Sequence, residues 1–127
     1  MGQLTVYVAG PMRGYPFYNF PAFDAAKQML ERLGMRVVSP ADHDRELGFN
    51  PTADMDVSKH PEKNVLDIGE VLLWDLQQVK ECDMLFMLNG WDKSQGARLE
   101  HDLGRALGKD FMFETEGVAQ LLAEFSV

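Results

Sequence analysis

A chain of 127 residues is the length of one domain, and 46% hydrophobic with 25% charged residues are the proportions of a chain that buries its own core. A net charge of −8 with no basic run argues against a nucleic-acid polymer as partner, while leaving room for a small anion held by a local cluster. The single cysteine, Cys82, excludes a disulfide framework and a cysteine metal site. With no apolar run of membrane-spanning length and no leader pattern, the composition predicts a soluble, cytoplasmic protein without a membrane partner.

In chain order, Leu4 to Ala9 (LTVYVA) is a β-branched and aromatic run that predicts a first buried strand, closed by Gly10-Pro11. The loop GPMRGYPFYN follows. Asn19 with Pro21 behind it predicts a capped helix whose apolar face is Phe23, Ala26, Met29, Leu30 and Leu33, ended by Gly34. Met35 to Ser39 predicts a short second strand stopped by Pro40. Residues 41–63 show little periodicity and are expected to form a long loop or lid. Helical spacing resumes over 64–81, in one piece or in two around Gly69, and MLFML at 84–88 predicts a buried strand. Ala97, Leu99, Leu103, Ala106 and Leu107 predict a helix from near Gly96 to Gly108. A last strand at 110–113 and a helix at 116–125 complete the pattern. This alternation predicts a single small α/β domain over 1–127, with a doubly wound, Rossmann- or flavodoxin-like parallel sheet and helices on both faces.

In that architecture the loops after the first strand and after the strand at 84–88 face each other across a crevice at the strand carboxyl ends. The first loop offers Gly10 and Gly14 for close backbone approach and Arg13 as an anion partner, although GPMRG also suits a simple tight turn. The second offers Ser94 and the free N–H groups of a helix N-terminus, the ingredients of a phosphate or carboxylate site. Glu100, placed in the first helical turn, is either a fixed charge or nucleophile at that crevice or an acid complementing the helix dipole. Asp75 interrupts the apolar VLLWDLQQV, as a buried carboxylate in need of a partner or as part of a polar face with Gln78. Tyr7 is a core aromatic whose hydroxyl needs a partner, and Asp92 suits a turn as well as a ligand contact. Tyr15, Phe17 and Tyr18 are candidates to line a slot for a flat ring. His43, His60 and His101 have no metal-ligand spacing.

Taken together, YVAGPMRG at 7–14, Asp75 followed by Asp83 and an apolar strand, and SQGARLEHDLG at 94–104 resemble the nucleoside 2-deoxyribosyltransferase-like superfamily. That superfamily includes deoxyribosyltransferases and nucleoside 5'-monophosphate N-glycosidases. The resemblance spans most of the chain outside 41–63. It implies Glu100 as the nucleophile attacking the sugar C1', Tyr7 as the residue orienting it, and Asp75 as the acid that contacts the base or assists its departure. It further implies substrate contacts from Gly10, Met12, Arg13, Asp92, Ser94 and Gly96, with Arg13 and Ser94 on a 5'-phosphate. No metal or cofactor is implied; a nucleotide or nucleoside substrate and a homo-oligomer with composite sites are. One departure matters: family transferases grip the base with amide and acid side chains from a neighbouring carboxy-terminal segment, and GVAQLLAEFSV offers only Gln120 and Glu124. The expectation is therefore hydrolysis of a (deoxy)nucleoside monophosphate, with 2-deoxyribosyl transfer and non-catalytic nucleotide binding as alternatives.

Overall fold

In a computed structural model, residues 2–53 and 67–114 are described. The helix expected at 116–125, and the part of the expected lid from residue 54 onward, lie outside the described residues.

Four strands form one all-parallel sheet: β1 (Thr5–Ala9), β2 (Arg36–Val38), β3 (Met84–Met87) and β4 (Asp110–Phe113), in spatial order β2-β1-β3-β4. Tyr7 pairs with Val38 on one side and Leu85 on the other, so β1 is a central strand and β3 lies beside it. Among the described residues four α-helices connect and flank the strands: α1 (Phe20–Arg32), α2 (Pro40–Glu46), α3 (Ile68–Glu81) and α4 (Gln95–Ala106). The two-residue period of β1 divides the core between two layers. Val6 and Val8 pack with Phe20, Phe23, Ala26 and Leu30 of α1 and with Ala41 of α2. Tyr7 and Ala9 pack on the opposite face with Val79, Cys82, Leu85 and Met87, joined by Leu103 of α4. The chain is thus a small doubly wound α/β fold. From β1 it winds outward to β2, then returns past β1 to β3, so the carboxyl ends of β1 and β3 flank the topological switch point.

The fold departs from the sequence reading at several joints. Residues 41–46, expected within a loop, belong to α2, which Pro40 opens at the position where a missing N–H costs nothing. Its seven residues, PADHDRE, carry no apolar stripe because ion pairs hold it: Lys27 Nζ to Asp42 Oδ2 at 2.5 Å and Arg45 Nη2 to Asp24 Oδ2 at 2.6 Å tie it to α1. α3 begins at Ile68, next to Gly69, with the Asp67 carboxylate accepting from the Glu70 N–H as its cap, and residues 64–66 of the expected helix lie outside the described residues. Asn19 does not cap α1; it takes a left-handed conformation, and its Nδ2 donates to the Pro11 carbonyl, pinning the first loop. Finally, α4 starts at Gln95 rather than Gly96 because the Ser94 side chain caps it, accepting from Ala97 N–H at 3.3 Å. Glu100 therefore lies in the second turn, where the helix dipole is weak.

Gly10 is expected from the sequence to admit a ligand, but its most immediate effect is on packing. A Cβ there would sit 2.6 Å from the Leu88 Cβ, so only glycine lets the end of β1 lie against the end of β3. Gly104 does the same for α4, since its Cβ would lie 2.9 Å from Leu85 and 3.0 Å from Phe111. Gly104→Ala should lower stability by about 1–2 kcal/mol, overpacking of about 1–3 kcal/mol being partly offset by the better helix propensity of alanine. Urea denaturation measures this; an unchanged or raised midpoint would show that α4 is not seated so closely.

Candidate functional site

The two loops expected to meet do so. A crevice of about 640 Å3, of the size that holds small-molecule ligands, is lined by Gly10 to Arg13 of the first loop and by Lys93 to Ala97 and Glu100 of the second. Asp44 of α2 and Asp75 of α3 complete its wall, and Tyr15 and Tyr18 supply aromatic rings. Gly96 opens into free space: a Cβ there would meet nothing within 4 Å, so the first turn of α4 stays clear.

The floor is built from buried acids. Glu100 is 5% exposed on α4, and Tyr7, fully buried in β1, donates its hydroxyl to Glu100 Oε2. β1 presents Tyr7 to the α3/α4 layer because its neighbours Val6 and Val8 face the other one. Burial raises the Glu100 carboxyl above the usual range, the charge of Asp75 adds to this, and the Tyr7 hydrogen bond opposes both. Burial, reinforced by the nearby Glu100 and Asp75 charges, raises the Tyr7 hydroxyl well above 10.0, which keeps it a donor. Asp75 is pushed up to about 7, first by burial and then by the charge of Asp44, with the Tyr7 hydroxyl opposing. Asp44 is pushed to about 7 by burial.

Two of these acids are conspicuous for what they lack. Asp44 Oδ1 and Asp75 Oδ1 are buried without a hydrogen-bond partner among the described residues. A buried acceptor left unmade costs about 1–3 kcal/mol, so such atoms mark a place where a ligand donor or a proton belongs. Asp44 was not legible as a site residue, because it stands between charged neighbours in a segment without periodicity. The available signal was Pro40 following Ser39, a helix-start pattern that would have set the acid on a short helix behind the second strand.

The mouth carries the opposite charge. Arg13 and Lys93 are both exposed and both line the crevice, and Ser94 stands beside them at the start of α4. Lys93 was not singled out from the sequence either, being one of many scattered lysines. Met12, Gly10 and Gly96 line the same space. Asp92 does not: it belongs to a separate concavity with Met87, Asn89, Trp91, Phe113 and Glu114, because the 3-10 turn at Trp91–Lys93 directs it toward β4. Phe17 is exposed and lies outside the crevice wall. No cluster of three or more metal-binding side chains occurs among the described residues, and none of their helices is long and apolar enough to cross a membrane.

The chain belongs to the family described as a domain of unknown function (DUF4406), whose model matches residues 4–113. No curated protein matches it. Membership thus covers both crevice loops and all three buried acids without assigning them any chemistry.

The buried acids set a stability profile. Asp44 holds its proton up to about pH 7 when folded but only to about 3.8 when unfolded, so the folded state binds the extra proton between those values. Its contribution is fully present below about pH 4 and is lost as pH rises through about 7. Asp44→Asn should therefore raise stability at about pH 8 by about 1–3 kcal/mol and flatten the decline that runs between about pH 4 and 7. Denaturant midpoints across that range measure it, and a variant whose pH profile parallels the wild type would place the Asp44 carboxyl in contact with water.

Proposed function

We propose that this member of the DUF4406 family is an N-glycosidase that hydrolyses the base–sugar bond of a nucleoside 5'-monophosphate, with deoxyribose preferred. The observation that carries the reading is the buried Tyr7–Glu100 pair facing Asp75 in a crevice with cations at its mouth. The resemblance of the three sequence motifs to nucleoside 2-deoxyribosyltransferase-like proteins supports it independently.

The chemistry follows from the groups. Ionised Glu100 attacks C1' as the C1'–N bond breaks, the electron pair leaving with the base. Tyr7 donates to one carboxylate oxygen, which favours the charged form and aims the other oxygen at the sugar. Asp75, with a carboxyl near 7, carries a proton in neutral solution and passes it to the departing base. Water then attacks C1' of the glycosyl-enzyme, gives up its proton to Asp75 and releases Glu100. Arg13, Lys93 and the Ser94 end of α4 hold the 5'-phosphate at the mouth, leaving the acids to the base and sugar.

Base release from a panel of nucleoside monophosphates and matching nucleosides, with and without a free acceptor base, tests the reading. Monophosphates should be cleaved in water, and Glu100→Ala should abolish release. Asp75→Asn should slow it by about 10²–10⁴-fold, the usual range for a lost general acid. Arg13→Ala combined with Lys93→Ala should raise KM for the monophosphate while leaving the poorer cleavage of the nucleoside unchanged. Product formed only in the presence of an acceptor base would replace hydrolysis by transfer, and recovery of intact nucleotide from a tight complex would leave a binding module.

A further inference from the structure

We infer that Asp44 and Asp75 act as an electrostatically coupled carboxyl pair in the crevice floor that selects an amino-substituted heterocyclic base, such as cytosine or adenine, over a keto base such as uracil or thymine. The inference rests on the N-glycosidase reading and names the substrate class of that site.

Asp44 is 1% exposed, lines the crevice, and holds Oδ1 without a partner among the described residues; Asp75 Oδ1, in the same wall, is also unpartnered. Their charges interact, and two buried carboxyls so placed do not both ionise. The charged and titratable groups around them are Glu100 on α4 and Tyr7 on β1, and Tyr7 already gives its hydroxyl to Glu100. Among the described residues no cation neutralises the floor: Arg13 and Lys93 stand exposed at the mouth. The pair consequently offers one mobile proton and a residual negative charge.

The placement is rigid. α2 is tied to α1 by Lys27–Asp42 and Arg45–Asp24, and to α3 by His43 stacked on Trp74 with ring centroids 3.7 Å apart. Asp44 and Asp75 each follow one member of that stacked pair in sequence, so the contact that joins the helices also fixes the two elements that bring both carboxyls to the same crevice. The Phe49 N–H donates to the Asp44 carbonyl and closes the end of α2. A carboxyl held this firmly with an open acceptor is preorganised for a ligand donor.

An amino group adjacent to a ring nitrogen satisfies both requirements. The amino group donates to the ionised carboxylate, and the ring nitrogen is basic enough to take the shared proton. A keto oxygen accepts a hydrogen bond but is a far weaker base. As the C1'–N bond breaks toward Glu100, the proton passes from the pair to the ring nitrogen and the bonding electron pair cancels the positive charge on the ring, so the base departs neutral. Water attacking C1' in the second step returns a proton to the pair.

The test compares kcat/KM for dCMP and dAMP with that for dUMP and dTMP, in wild type and in Asp44→Asn. Wild type should favour the amino bases by about tenfold or more, and Asp44→Asn should cut their cleavage about tenfold while changing keto substrates less than about threefold. Equal or faster cleavage of keto bases by the wild type, or an equal loss on both classes in the variant, would overturn the inference. Binding of free cytosine and uracil to Glu100→Gln, measured by calorimetry, separates the two readings. Preference for cytosine that disappears on adding Asp44→Asn, in a protein that releases no base, would retain the pair and refute the glycosidase. Base release without any preference in turnover or binding would do the reverse.

Discussion

The hydrogen bond from Tyr7 to Glu100 joins the central strand to the helix that closes the crevice, and the rest of the site is arranged around it. It requires a tyrosine on the face of β1 that looks toward α3 and α4, and it requires α4 to lie close to the sheet. The first condition is met by the period of TVYVA, which sends Val6 and Val8 into the opposite layer. The second is met by Gly104, whose missing Cβ lets α4 rest on Leu85 and Phe111. Glu100 then sits 5% exposed, with Oε2 bonded to Tyr7 and the residue lining the crevice. In the proposed reaction this same bond favours the ionised form of a deeply buried carboxylate, opposing the burial that raises it.

Charge is distributed so that the crevice discriminates the ends of a ligand. Asp44, Asp75 and Glu100 crowd the floor, with the first two pushed to about 7, while Arg13 and Lys93 are exposed at the mouth. Concentrating three acids in one buried place lowers stability, and orphaned Oδ1 atoms on two of them add to the cost. No cation among the described residues neutralises this floor, and in the proposed reading a proton and a donor-bearing ligand complete it. For the proposed N-glycosidase that completion is the substrate base, with the phosphate end of the same molecule held at the rim.

The sequence carried most of the frame and only part of the floor. Strands β1, β3 and β4 and helices α1, α3 and α4 were legible because their apolar residues repeat with strand or helix period, and the parallel sheet followed from their alternation. Glu100, Tyr7, Asp75, Arg13 and Ser94 were legible as candidates through their motifs, and all but Tyr7 line the crevice while Tyr7 supports it from beneath. What escaped were features that periodicity does not encode. α2 is held by Lys27, Asp24 and a stacked His43–Trp74 pair rather than by an apolar stripe, so its Asp44 lay in a stretch without periodicity and was not singled out. Asn19 carried a capping signature yet spends its amide on the Pro11 carbonyl, a contact set by the loop's tertiary path. Asp92 was drawn toward the site by its position after β3, whereas a single 3-10 turn sends it to the neighbouring concavity.

The most direct test of the account is to look for the bond that Glu100 is proposed to form. Incubation with a 2-deoxy-2-fluoroarabinonucleoside 5'-monophosphate, whose fluorine slows both glycosyl transfers, followed by acid quench and mass spectrometry, reads it. The account predicts a protein heavier by one fluorinated sugar phosphate, with the adduct on the peptide carrying Glu100 and no adduct in Glu100→Gln. Release of base with no adduct on Glu100, or at an equal rate from Glu100→Gln, would contradict it.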